Sequence, residues 1–287
     1  MEDYGPSNWG RWGDDDQRGT LNLITPEVVR SAVACARTGR VVTLGTLVGR
    51  DAPVFPGRDA TVHIVRYMDG RPTGYADDLL ALNTHSSTHL DALSHNFLNG
   101  MLYNGVAVAD AVSSAGVTHH AVSNVGAIVT RGILLDVAAL RGVDWLDAGQ
   151  AIGRDELDAC AAAQGVTPRA GDVCLVRTGW MRLFERDRAR FDAGEPGLAL
   201  DVAGWFHEHG LVALGADNGA VDVLPGEPGV RPFGLHPRII NQQGGYLLEY
   251  LDLEELAGTG VPEFLFVAAP LRVAGGAGSP LNPVAIL

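Results

Sequence analysis

One segment, HSSTHLDALSH at residues 85–95, constrains this chain more than any other part of it, because it places three of the nine histidines around one aspartate. His85 precedes His89 by four residues, which is one helical turn. Asp91 follows His89 by two residues, the side-chain repeat of an extended segment, and precedes His95 by four. A strand or turn leading into a helix near Asp91 would aim all four side chains at one point.

The chemistry of these side chains favours a metal site over structural histidines. Neutral imidazoles and a carboxylate bind divalent metals and leave coordination positions open for water or substrate. A cation held by a single carboxylate keeps positive charge and lowers the pKa of water. These ligands suit Zn²⁺ and Mn²⁺ alike, so the sequence predicts a divalent metal without choosing between them.

The rest of the chain alternates short apolar segments with amphipathic ones. The apolar runs predict strands at residues 41–45, 61–68, 126–130, 132–137, 171–179, 211–217 and 264–273. The amphipathic runs predict helices at residues 25–39, 154–165 and 200–210. Strands outnumber helices, so we expect an α/β fold with a mixed sheet rather than a doubly wound one. We expect one domain over residues 1–287, with residues 1–22 as an N-terminal arm.

Composition excludes several classes of function. The formal charge of −13 argues against nucleic acid and anionic membranes as partners. All 21 basic residues are arginine, which excludes a lysine Schiff base and a lysine-bearing phosphate loop. The three cysteines are widely spaced and predict no disulfide framework. We expect a cytoplasmic protein, since neither a signal peptide nor an apolar run of the ~18 residues that span a membrane is visible.

Residues 85–95 resemble the His-x-Gly-Thr-His-x-Asp-x-Pro-x-His signature of the cyclase-like metal-dependent hydrolases. That family includes kynurenine formamidases, isatin hydrolases and certain polyketide-pathway cyclases. The match keeps each histidine, the threonine and the aspartate, but has Ser87 in place of the usual glycine and Leu93 in place of the usual proline. The segments RAGDVCLVRTGW, ALGADNGAVDVLP and GLHPRIINQQGGYLLEYLDLEEL are also similar to the family.

The resemblance implies a mixed sheet of the swivelling β/β/α type, and it implies roles for particular residues. The principal metal would be held by His85, His89 and Asp91. The remaining site residues, which bind metal or substrate or move protons, would be His95, His236 and Glu249. His95 is either a general base or a ligand of a second metal. The family likeness and the tryptophan-rich arm also predict a homodimer or homotetramer.

Three functions fit this reading. The first is a metal-dependent hydrolase that opens an amide, lactam or lactone of a small molecule. The second is a biosynthetic cyclase or dehydratase that uses the same metal to polarise a carbonyl. The third is a structural metal closed by four protein ligands in a binding protein, and the additional His236 and Glu249 argue against it.

Weaker candidates are assigned structural roles. We interpret the adjacent His119 and His120 as an exposed turn, and the pair at positions 207 and 209 as a helix C-terminus. Asp217 either orients a ligand histidine or forms a turn. Core or subunit contacts are expected for the tryptophans Trp9, Trp12 and Trp180, with pocket lining as the alternative. The Gly/Pro-rich residues 224–234 are expected to form an active-site loop.

Overall fold

The structure, a computed structural model, describes residues 5–67 and 73–287. Its strands are β1 Val41–Thr43, β2 Val62–Tyr67, β3 Ala76–Ala81, β4 His89–Asp91, β5 Val112–Ser113, β6 Gly116–Val117, β7 Ile128–Asp136, β8 Ala151–Ile152, β9 Val173–Arg177, β10 Gly197–Leu198, β11 Ala213–Ala216, β12 Tyr246–Glu249, β13 Glu263–Ala268, β14 Gly278–Pro280 and β15 Val284–Ile286. Its α-helices are α1 Pro26–Val33, α2 Val108–Ala111, α3 Val137–Leu140, α4 Arg154–Gln164, α5 Leu183–Arg186, α6 Arg188–Phe191, α7 Val202–His209 and α8 Glu254–Gly258. Short 3-10 turns cover Gly19–Leu23, Tyr103–Gly105, Val122–Asn124 and Trp180–Arg182, and a π-helical turn covers Pro237–Gln242.

Nine strands form the central sheet, in the order β1-β15-β13-β7-β9-β11-β12-β4-β14. The middle strands β7, β9, β11 and β12 run parallel to one another, and antiparallel pairs extend the sheet on both sides. This arrangement confirms the predicted α/β class with a mixed sheet. The parallel strands are apolar because helices and loops cover both faces, so β9 is buried along its whole length.

Local signals position the helices that cover this sheet. In α4, Gly165 follows the last helical residue with φ of +67°, the left-handed conformation that glycine adopts at low cost. In α7, Gly210 ends the helix in the same way, with φ of +62°. Both glycines end helices where the sequence predicts. The helix predicted at residues 25–39 begins as expected at Pro26, after the Thr25 cap, but ends at Val33.

Two strand predictions need correction. The runs at residues 126–130 and 132–137 form one continuous strand, β7, because Gly132 continues the strand instead of ending it. The predicted last strand, now β13, is followed by β14 and β15. These short strands have no visible alternation, and their pairing with β4, β13 and β1 makes them strands. Met68, the last residue of another predicted strand, lies outside the described residues.

Strands β2 and β3 form a separate hairpin that packs little against the main sheet. Several of its apolar side chains are exposed, including Ile64, Val65, Tyr67, Leu79 and Leu80. The three cysteines carry free thiols; Cys160 and Cys174 are buried and Cys35 is half-buried. Along residues 5–67 and 73–287, none of the helices combines the length and the apolar character required to cross a membrane.

Candidate metal centre

Strand β4 carries the centre of the site. It lies between β12 and β14, and its residues His89 and Asp91 are buried completely. Because the two residues are two positions apart in a strand, their side chains point to the same face of the sheet. A turn, not the helix considered from the sequence, follows Asp91 and returns the chain toward the site, with His95 N donating to Ala92 O at 2.9 Å.

The turn before β4 delivers His85. Within it, Ser87 has φ of +53°, in the left-handed region that glycine adopts without strain, which explains why the family signature has glycine at this position. The ring of His85 lies over Gly278 of β14, where a Cβ atom would approach Nε2 to 2.4 Å. A residue without a side chain at position 278 therefore makes room for this imidazole.

His95 completes the early group of histidines. Its ring stacks on that of His85, with centroids 3.9 Å apart and planes inclined by 30°. With 22% of its side chain exposed, His95 reaches solvent more readily than His85, whose side chain is 10% exposed. This imidazole therefore lies at the open side of the cluster.

Glu249 comes from the end of β12. The register of the sheet places it directly opposite His89, and its Oε2 lies 3.0 Å from His89 Nε2. Thr88 joins the two strands, because its Oγ1 donates to the carbonyl of Tyr250 at 2.6 Å and accepts from the backbone N–H of Thr46 at 2.8 Å. The threonine of the signature thus fixes the geometry of the site without entering it.

His236 immediately precedes the π-helical turn and reaches the same cluster. Its Nε2 lies 3.3 Å from Glu249 Oε1 and 3.6 Å from Asp91 Oδ2. Its Nδ1 is 2.7 Å from Asp222 Oδ2, and Asp222 Oδ1 also accepts from the backbone N–H of Leu235 at 2.8 Å. Asp222 therefore fixes the orientation of His236, as carboxylates do for many metal-binding histidines.

Sequence reasoning missed Asp222 and considered Asp217 for this role. Asp217 instead accepts hydrogen bonds from Thr178 N, Thr178 Oγ1 and Gly179 N, at 2.6–2.8 Å, so it holds a turn. Both aspartates occur in the segment ADNGAVDV, and the backbone decides which of them faces the site. Val221, with φ of +59°, turns the chain immediately before Asp222.

All six predicted side chains meet at one place. Asp91 Oδ1 lies 3.4 Å from His85 Nε2 and 3.5 Å from His89 Nε2. Asp91 Oδ2 lies 3.8 Å from His95 Nε2 and 3.6 Å from His236 Nε2. Two groups have ligand atoms within 4.8 Å of one another: His85, Asp91 and His95 form one, and His89, Asp91 and Glu249 form the other. Asp91 belongs to both groups, so the geometry accommodates one metal or two.

The unsatisfied atoms of this cluster fit a cation. His85 Nε2, His89 Nε2 and both carboxylate oxygens of Asp91 are buried and form no hydrogen bond within the described residues. Buried polar groups are normally paired, since an unpaired one costs about 1–3 kcal/mol. Nitrogen and oxygen lone pairs that converge without a donor between them are what a divalent metal requires. The residues present therefore fit the predicted metal.

The electrostatics of the cluster are negative overall. Burial lowers the pKa of His85 to about 3, so this imidazole is neutral at physiological pH. Burial also opposes the charging of His89 and His236, but the carboxylates beside them outweigh it and raise both pKa values. Three carboxylates, Asp91, Asp222 and Glu249, thus act on the histidines at the same place, and a bound cation would balance their charge.

The weaker candidates lie outside this cluster. His119 is exposed as predicted, whereas its neighbour His120 is buried with Nε2 2.9 Å from the carbonyl of Tyr103, so the exposed-turn interpretation is wrong for His120. The histidines at positions 207 and 209 end α7. Trp180 is a core residue, as expected. Trp9 donates its Nε1–H to the carbonyl of Asn241 at 2.6 Å.

The predicted active-site loop, residues 224–234, does lead into the cluster. Phe233 lies against the His236 ring with centroids 5.8 Å apart, and against Phe55 at 5.7 Å. The loop therefore forms an aromatic wall beside the site.

Comparison with known proteins agrees with this architecture. A sequence profile described as "Putative cyclase" matches residues 23–223, more than half of the chain. The chain belongs to the cyclase family. A solved structure described as a novel cyclase is 33% identical to this family member, and the alignment covers 100% of both chains with a TM-score of 0.93.

More distant structures share the fold of this cyclase-family chain. An isatin hydrolase bound to the product analogue thioisatinate is 21% identical, with a TM-score of 0.67 over 92% of this chain and 99% of that chain. Isatin hydrolase A from Ralstonia solanacearum is 22% identical, with a TM-score of 0.63 over 91% of this chain and 98% of that chain. A search of curated proteins gave no significant match.

Proposed function

We propose that this cyclase-family protein is a metal-dependent hydrolase that opens an amide, lactam or lactone bond of a small molecule. The observation that carries the proposal is the convergence of six nitrogen- and oxygen-bearing side chains around unpaired, buried lone pairs. A structural metal would be enclosed by four ligands, whereas this cluster has six candidates and one of them, His95, is partly exposed.

The position of each residue in the cluster indicates its role in metal binding. The residues His85, His89 and Asp91 would hold the principal metal, and Glu249 lies close enough to His89 to join them. When bound, a divalent cation supplies a Lewis acid that polarises a carbonyl and lowers the pKa of water. Asp222 holds the His236 ring so that Nε2 faces the cluster. The sequence leaves open whether the metal is zinc or manganese, and elemental analysis decides between them.

His95 is suited to moving a proton. Burial lowers its pKa, so it is a neutral imidazole at physiological pH and its Nε2 can accept a proton from water or from the substrate. Its partial exposure gives that proton a route to solvent. A positioned general base of this kind contributes about 10²–10⁴ to the rate.

The substrate class follows from chemistry and from the neighbours. A Lewis acid beside a general base favours attack of water on a carbonyl, and cyclic amides and esters present that carbonyl in a small ring. Isatin, on which the structural neighbours are described as acting, is such a lactam and makes a reasonable first probe. Formamides, cyclic imides, other lactams and lactones complete the panel.

A second function is favoured by one observation: the structure that is similar over the full length of this chain is described as a cyclase. A cyclase or dehydratase would use the same centre to polarise a carbonyl without adding water to the product. Turnover in ¹⁸O-labelled water separates the two functions, because hydrolysis incorporates the label into the product and cyclisation without hydrolysis does not.

The experiment that tests the hydrolase is replacement of His89. We expect His89→Ala to lose bound metal, measured by elemental analysis, and to lower turnover at least ~10³-fold, because Lewis-acid catalysis contributes several kcal/mol. His63→Ala is the matched control, since His63 pairs with Asp78 on the exposed hairpin and should change neither quantity. A fully active His89→Ala protein without metal would contradict the proposal.

A further inference from the structure

A small recess adjoins the metal centre on the side of Tyr250. Its walls are Phe55, Phe191, Leu224 and Tyr250, its volume is about 40 Å³, and Glu195 lines it. The Tyr250 ring forms its wall toward the cluster, with its centroid 6.0 Å from that of His89 and 6.3 Å from that of Phe191. Phe55, on another wall, packs against Phe233, whose ring contacts that of His236, so the recess borders the site described above.

The Glu195 carboxyl group is only half satisfied. Its Oε2 accepts a hydrogen bond from the backbone N–H of Gly219 at 2.8 Å. Its Oε1 is buried and has no hydrogen-bond partner anywhere in residues 5–67 and 73–287, although Glu195 is only 5% exposed. The backbone is fixed, because Glu195 and Leu224 exchange hydrogen bonds of 2.8 and 2.9 Å. The main chain at Glu195 is therefore held in place beside the recess.

The surroundings of Glu195 oppose a negative charge. Within the part of the chain that the structure describes, no arginine or histidine forms an ion pair with it. Burial raises the pKa of Glu195 well above its ordinary value, and the nearby carboxylates Glu249 and Asp222 add to that effect; together they outweigh the backbone N–H groups of Gly219 and Ala220, which favour the charged form. In its neutral form a buried carboxyl group carries an O–H donor, which needs an acceptor.

We propose that Glu195 is a specificity-determining residue whose neutral carboxyl group donates a hydrogen bond to an uncharged, non-reacting oxygen of the substrate that projects into this recess. The proposal rests on the proposed function, since it names a substrate feature of the same site. The occupant is a carbonyl or hydroxyl group on a small ring or chain.

Three observations select that chemistry. The walls Phe55, Phe191 and Leu224 are apolar, and the carboxylate of Asp192, which also lines the recess, is paired with Arg188 at 2.8 Å. The hydrogen bond from Glu195 therefore decides the orientation of the group that enters. The nearby carboxylates repel an anionic substituent, and a volume of about 40 Å³ admits only a small group or a water molecule. A site that hydrogen-bonds a substrate oxygen discriminates against analogues that lack it, because its own buried group is then unpaired.

The position of the Tyr250 ring depends on Gly219, which also binds Glu195. A Cβ atom on Gly219 would lie 2.5 Å from Tyr250 Oη, so the glycine that binds Glu195 also lets the tyrosine ring reach its place. Gly219 therefore has two contacts at this wall: its N–H binds Glu195 Oε2, and its lack of a side chain leaves space for the Tyr250 ring.

The test compares two substitutions of nearly equal size. Glu195→Gln keeps an N–H donor at the same place, whereas Glu195→Met fills the same space without one. The substrates are the best-hydrolysed member of the panel and its analogue lacking the non-reacting oxygen, isatin and indolin-2-one being the first pair. We expect Glu195→Met to raise KM for the oxygen-bearing substrate about tenfold, as for one hydrogen bond, with kcat nearly unchanged. The KM of Glu195→Met for the analogue should stay within about threefold of wild type. The KM values of Glu195→Gln for the substrate and for the analogue should stay within the same range.

Other outcomes overturn the proposal. Equal losses in Glu195→Gln and Glu195→Met would show that a carboxylate is required, and equal KM values for Glu195→Met and wild type would show that the recess holds only water. If Glu195→Met fails to fold, the infrared carbonyl band of a protonated carboxyl, present in wild type and absent from Glu195→Gln, tests the neutral acid by itself. Failure of wild type to hydrolyse any panel member, with no bound metal, would instead contradict the proposed function.

Discussion

The two halves of the metal centre are held in place by different means. The early half, residues 85–95, lies on and around β4, where strands on both sides fix the backbone. The late half consists of His236 at a π-helical turn and Glu249 at the end of β12. His236 relies on the carboxylate of Asp222, while His89 and Asp91 rely on the strand itself.

This difference shows where each half is vulnerable. In the early half, the ring positions follow from backbone geometry, so a change of steric volume disturbs them. In the late half, the orientation of an imidazole depends on one charged hydrogen bond, so a change of charge disturbs it. Substitutions of each type should therefore act on one half and spare the other.

Among the substitutions that compare the two halves, the largest effect is expected from Asp222→Asn, which disturbs the late half. Loss of the charged partner frees the His236 ring and should lower metal affinity or turnover by about 10- to 100-fold. Titration with metal and steady-state kinetics measure both quantities. Asp217→Asn is the control: it removes acceptors from a buried turn, so it should reduce the free energy of unfolding by roughly 1–3 kcal/mol but leave metal affinity unchanged. The same metal affinity in both variants would remove the role assigned to Asp222.

A smaller effect is expected from Gly278→Ala in the early half. The added Cβ would lie 2.4 Å from His85 Nε2, so the ring must move and metal affinity should fall roughly tenfold. Gly258→Ala is the control, because no atom lies within 4 Å of its added Cβ. Unchanged metal affinity in Gly278→Ala would mean that His85 is not a ligand.

The smallest effect is expected from Ser87→Gly, which restores the residue usual in the family. It relieves a φ of +53° and loses only a long hydrogen bond of 3.3 Å from Ser87 Oγ to the carbonyl of Leu47. We expect the free energy of unfolding to rise by about 1 kcal/mol, or Tm by roughly 2 °C, with unchanged turnover. Ser94→Gly, whose φ is not in that region, should lower Tm instead. A lower Tm for Ser87→Gly would show that this turn is not strained.

The early half could be predicted from the sequence because its spacing is local. Residues two and four positions apart can converge whatever the remaining fold, so the interval from His85 to His95 was sufficient. The late half could not be derived in this way. His236 and Glu249 were found only through the family resemblance, since their distance from the early segment depends on which strand pairs with β4.

Asp222 was predicted neither from the local spacing of residues nor from the family resemblance. It occurs five residues after Asp217 in the same polar segment, and a left-handed residue at Val221 sends it toward the site. β-Branched residues rarely adopt that conformation, so no local signal predicts it. The strands β14 and β15 were missed for a related reason, since short Gly- and Pro-containing runs become strands only through partners distant in the sequence.

The order of strands across the sheet has a consequence for protein synthesis. His89 and Asp91 emerge from the ribosome before the strands on either side of them, β12 and β14, which are made more than 150 residues later. During that interval the earliest ligands have no neighbouring strands to bury them. Domains fold as units once their parts are available, so the nascent chain acquires its metal-binding geometry only after β12 and β14 have been made.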